Sequence, residues 1–137
     1  MKRKNIIENA YKAVSGYREV AFAYIHGSFV TDISFNDIDI ALHITPNSYT
    51  HYSQQRETTL DFVIPLERAL ENELPYPVDI QLLNEAPLSF RYRVIHDGEL
   101  IVDNDPNLRS DFEYLTRVEY FDFRPRRREY LREAIMG

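Results

Sequence analysis

The stretch Gly27 to Leu42, GSFVTDISFNDIDIAL, decides how the rest of the chain is read. It follows the run Val20 to Ile25, where β-branched and aromatic residues crowd a short span and predict a strand. Glycine at the end of such a strand permits a tight turn and close backbone approach to a ligand. Ten residues after Gly27, Asp37-Ile38-Asp39 opens a second apolar run that continues through Ile44, a second strand. Period two then sets both carboxylates on one face of it.

Two such carboxylates have Cβ atoms roughly 6–7 Å apart, and at an effective dielectric of about 20 they repel by on the order of 2–3 kcal/mol. A divalent cation removes that repulsion. Mg²⁺ prefers oxygen ligands, and one or two carboxylates together with substrate phosphates usually hold it. Gly27-Ser28 supplies N–H groups and a hydroxyl with which to cradle those phosphates.

Outward from this stretch, Asn5 to Ser15 places Ile6, Ile7, Ala10, Tyr11 and Val14 at helical spacing, and Ser15-Gly16 ends it. After the second strand, Pro46-Asn47-Ser48 reads as punctuation and His51 to Arg56 is polar. A second helix runs from about Glu57 through Leu74, with Pro65 either kinking it or marking its start. Pro75 and Pro77 stop it, and Val78 to Leu83 alternates as a third strand. Asn84 to Pro87 starts a helix that Gly98 ends, and Glu99 to Val102 is a short edge strand. Leu108 to Phe121 reads as a helix, and Pro125 introduces a last, separate one.

Asp79 sits near the start of the third strand. In a mixed sheet, a third strand lying beside the second brings this acid to the same end, giving three carboxylates for one or two ions. Two-metal sites drive in-line phosphoryl transfer by lowering the pKa of the attacking hydroxyl and neutralising the leaving group. Asp79 suits the role of metal ligand or of general base for an incoming hydroxyl.

Composition limits the alternatives. One compact domain accounts for 137 residues, and 10 Tyr with 8 Phe supply core. A net charge of −6 argues against a generic nucleic-acid binder, whose affinity comes from Lys and Arg on phosphates. The chain has no cysteine, which excludes disulfides and thiolate zinc sites. The basic start MKRKNIIENAYK lacks the apolar stretch of a signal peptide, and no run approaches the ~20 residues of a membrane span. A soluble, cytoplasmic protein with no membrane contact is expected. Arg124 to Arg132, RPRRREYLR, reads as a solvated helix start or as a patch for a protein partner. His26, beside the turn, either packs locally or touches phosphate.

Gly27-Ser28 followed by Asp37-Ile38-Asp39 resembles the signature of the polymerase-β-like nucleotidyltransferases. Val78 to Pro87, VDIQLLNEAP, followed by Asp97 to Ile101, DGELI, is similar to the minimal nucleotidyltransferases, the MntA-type antitoxins paired with HEPN toxins. The resemblance implies an α/β fold of the α+β kind over residues 1–137, a small mixed sheet flanked by helices with further helices at the C-terminus. It implies a site in which Gly27 and Ser28 grip ATP while Asp37, Asp39 and Asp79 are catalytic and bind Mg²⁺. It further implies transfer of AMP from ATP to a hydroxyl, a tyrosine, of a HEPN-type toxin, with the chain acting as its antitoxin in a homo- or hetero-oligomer. The interval from Gly27 to Asp37 is shorter than the family's usual spacing, with Asp32 where a second glycine falls and Asn36 in place of a serine. Two other readings stand beside the first: an antitoxin that neutralises by binding alone, and a nucleotidyltransferase acting on a small molecule.

Overall fold

The computed structural model describes residues 2–54 and 58–136, with side chains as far as Asp122. Four strands, β1 (Val20–His26), β2 (Ile38–Ile44), β3 (Val78–Leu82) and β4 (Glu99–Asp103), form one sheet in the order β3-β2-β1-β4. β1 runs antiparallel to both β2 and β4, whereas β2 and β3 are parallel. The third strand therefore lies beside the second, as expected.

Helices cover both faces. On one, α1 (Arg3–Ser15) and α4 (Leu60–Glu73) pack Ile6, Ala10, Val14, Phe62, Val63, Leu66 and Leu70 against Ile38, Ile40, Leu42 and Ile44 of β2. Each of those side chains larger than Ala10 contributes roughly 1.5–3 kcal/mol when buried. On the other, α5 (Leu88–Asp97) and α6 (Pro106–Met136) cover Phe22, Tyr24 and Ala41. Alternation along β2 thus sends its isoleucines to one core and leaves Asp39, Ala41 and His43 for the opposite face.

Several local expectations are corrected. A helix, α3 (Pro46–Gln54), follows β2 where punctuation was expected. Pro46 opens it because a first-turn residue needs no N–H donor, and Thr45 Oγ1 accepts from the Ser48 N–H at 3.3 Å as a cap. The turn after Gly27 is a single helical turn, α2 (Ser28–Thr31). α4 starts at Leu60 and continues through Pro65. The Asp61 carboxylate accepts from the Thr58 N–H at 2.7 Å just ahead of it. β3 stops at Leu82 and a 3₁₀ turn spans Leu83–Glu85, so Pro87 caps α5 from outside. Inside that turn Asn84 prolongs the sheet with its side chain, accepting from Ile44 N–H and donating to Ile44 C=O, both at 2.9 Å. The two C-terminal helices are one, α6, which passes through Pro125 with the loss of one backbone donor rather than a break. The side chains of the Arg124 to Arg132 patch lie outside those described.

His43 illustrates the cost of the second core. Its ring stacks on Phe22 at 4.8 Å and meets Phe112 at 5.2 Å, and its Nδ1 is buried without a hydrogen-bond partner. Burial pushes its pKa down to about 4. The unfolded chain therefore binds this proton more tightly than the folded one, so stability falls as pH drops from the ordinary histidine value of about 6.5 toward 4. Over that window the protein is expected to lose on the order of 3 kcal/mol more than His43→Phe, by urea melts at each pH. Equal losses in the two proteins would contradict this.

Candidate active site

β1 ends at His26, and Gly27 then takes φ 74 and ψ −152, a region essentially reserved for glycine. The reversal drives the chain into α2, where the Val30 and Thr31 N–H groups close on Gly27 C=O at 3.0 and 3.2 Å. The earlier N–H groups of a first helical turn have no intrahelical partner. Asp39 stands opposite in register with His26, and a Cβ on Gly27 would come within 2.4 Å of its Oδ2. Gly27→Ala is accordingly expected to displace that carboxylate, to cost about 1–3 kcal/mol, and to weaken ATP binding. Thermal melts and calorimetry check this; an unchanged ATP affinity would mean that the turn does not hold the phosphates.

The same register rule aligns Asp39 with Asp79 across the parallel pair β2–β3. Asp37, one residue before β2, accepts from Ser28 Oγ at 3.4 Å. Burial, the largest cause, raises the pKa of Asp39, and the charges of Asp37 and Asp79 raise it further while His26 opposes them. Asp37 and Asp79 thus both lie close enough to act on Asp39. Among the described residues, however, no group of three His, Cys, Asp or Glu side chains is gathered tightly enough to hold a metal ion. Asp79 instead receives a hydrogen bond from Gln81 Nε2.

A cavity of about 460 Å³ opens over this end of the sheet, within the range of small-ligand sites. Its floor carries His26, Gly27, Ser28, Asp39 and Gln81, and α5 supplies Phe90, Arg93 and Asp97 as the facing wall. Asp37 and Asp79 are each held by a lining residue, Ser28 and Gln81. His26 packs edge-on to Phe90 at 5.5 Å and contacts Gln81 Oε1 at 3.1 Å, with its pKa lowered chiefly by burial. Sequence reasoning passed over the α5 wall, although Phe90, Arg93, Val94 and Asp97 share one helical face by spacing. It also passed over Arg3, which straps the loop between α2 and β2. The Arg3 guanidinium donates to Asp32 C=O and Ile33 C=O and lies 5.0 and 4.9 Å from the Phe29 and Phe35 ring centres.

A mixed four-stranded sheet with helices on both faces, and a glycine turn facing a carboxylate strand, define the nucleotidyltransferase fold of the polymerase-β type. The chain belongs to that family: residues 8–107 match the family described as Polymerase beta, Nucleotidyltransferase. Among solved structures, one of a tri-AMPylated Shewanella oneidensis HEPN toxin in complex with MNT antitoxin contains a chain with a TM-score of 0.69 and 17% identity. That likeness covers 99% of this chain and 100% of the other. A toxin-antitoxin structure with AMP-PNP is similar over 100% of both chains, with a TM-score of 0.67 and 17% identity. The MntA-HepT toxin-antitoxin structure is similar over 98% of this chain and 97% of the other, at 0.62 and 17%. At these identities the likeness establishes the fold. No curated protein sequence matches the chain significantly. No helix among the described residues is long and apolar enough to cross a membrane.

Proposed function

We propose that this nucleotidyltransferase transfers AMP from ATP to a hydroxyl, a tyrosine, of a HEPN-type toxin and so acts as its antitoxin. The observation that carries the reading is the placement of Asp39, its carboxylate against Gly27 and its register partner Asp79 on β3, in the lining of one cavity. The full-length likeness to chains from toxin-antitoxin complexes, one with AMP-PNP and one with an AMPylated toxin, supports the choice of substrate and partner.

The donor set fits a divalent cation: oxygen ligands only, with Asp39 partly desolvated and crowded by two other acids. Asp37 and Asp39 would hold Mg²⁺ jointly with substrate phosphates, and Asp79 would complete the set. When bound, the ion supplies neutralisation of the triphosphate and of the leaving pyrophosphate. Gly27 and Ser28 orient the phosphates through backbone N–H and hydroxyl donors. Asp79 accepts the proton of the acceptor hydroxyl, whose oxygen bonds to the α-phosphorus as the bond to the β-phosphate breaks and pyrophosphate departs. The purified protein, given Mg²⁺, labelled ATP and the product of the adjacent gene, should place label on that product. Label that never leaves the nucleotide pool would refute the proposal.

A further inference from the structure

Gln81 follows Asp79 by two residues on β3, so both side chains stand on the face that carries the cavity. Its register partner on β2 is Ala41, so only a methyl group stands there between Gln81 and β1. Past that methyl group Gln81 reaches His26 on β1, with Oε1 3.1 Å from Nε2. Its other amide atom, Nε2, donates to Asp79 Oδ2. The two contacts agree in polarity. An amide that turns its NH₂ to a carboxylate presents its oxygen to the imidazole, a contact that His26 completes in the tautomer whose Nε2 carries the proton and donates it.

The geometry points to Gln81 as the positioning residue of this site, its carboxamide setting the direction of the Asp79 carboxylate and the tautomer of His26 together. This inference rests on the AMP-transfer reading above. A carboxylate that takes a proton from an acceptor hydroxyl must aim a free lone pair along the line of attack. With Oδ2 engaged by Gln81, Oδ1 is the atom left for the acceptor. The side chain has to be a neutral amide. Glutamate would add a like charge beside Asp79, lysine would have no acceptor for His26, and an aliphatic chain would hold neither group.

Two variants separate the contacts. Gln81→Leu keeps the bulk and loses both; Gln81→Glu keeps an acceptor for His26 but has no donor for Asp79. In both, the transfer rate at saturating ATP should fall about tenfold or more, the scale of lost support to a site ligand, and in Gln81→Leu the ATP dissociation constant should stay unchanged. Imidazole ¹⁵N correlation spectra, recorded without metal or nucleotide, should show Nε2-protonated His26 in the wild type and in Gln81→Glu, and lose that signature in Gln81→Leu. A wild-type rate per folded molecule in either variant would overturn the inference, and so would an unchanged His26 spectrum in Gln81→Leu. If the wild type transfers no AMP at all, the AMP-transfer reading fails, while the spectra still decide whether Gln81 sets the imidazole.

Discussion

A chain carrying both Asp37→Ala and Asp39→Ala is expected to bind its toxin partner as tightly as the wild type and yet leave it active. The expectation follows from the separation of the two tasks. Asp39 lines the cavity against Gly27 and Asp37 is bonded to Ser28 of the lining, whereas protein recognition draws on exposed apolar and aromatic surface. The α6 side chains Tyr114, Leu115, Val118 and Phe121 are 66, 53, 40 and 54% exposed, and none of them lines the site. Removing the acids also removes a partly buried carboxylate and its repulsion with its neighbours, so the melting temperature without metal should not drop. The partner recovered from this variant should have its unmodified mass, and the loss of transfer should exceed that of any single substitution. Full neutralisation by the double variant would eliminate the enzymatic reading in favour of masking by binding alone.

The second large effect concerns Asp79. As the acid facing the acceptor, it matters more to transfer than to nucleotide binding, because a base acts on the attacking oxygen. Asp79→Asn should lower the transfer rate on the order of 10²-fold or more while changing the ATP dissociation constant by well under about tenfold. Asparagine is nearly isosteric, and its amide can still meet Gln81, so the fold should hold. A variant that melted earlier but kept its rate per folded molecule would make Asp79 a strand-start residue and reduce the triad to a pair.

Much of this architecture was legible because the strands are buried and short. Val20–His26, Ile38–Ile44 and Val78–Leu82 declare themselves by β-branched density, and the exceptional φ of Gly27 explains why only glycine stands between β1 and α2. Period two and a third strand beside the second point in sequence to acids at one end of the sheet, and in the structure Asp39 and Asp79 are register partners. What escaped depended on through-space partners or on proline. Pro46 serves as a helix opener once Thr45 caps it, yet in sequence it looks like a stop. Pro125 costs α6 one hydrogen bond, too little to divide a helix of 31 residues. The Gln81 contact with His26 crosses a whole strand and needs a small residue at Ala41, a coincidence that no local pattern encodes.

AMP transfer from ATP to a hydroxyl of the partner protein is tested most directly by the intact mass of that partner after co-expression. A partner heavier by one or more AMP units is expected, with the added mass on a tyrosine, and an unmodified one beside the Asp37→Ala, Asp39→Ala chain. A partner that is silenced by the wild-type chain while its mass stays unchanged would contradict it.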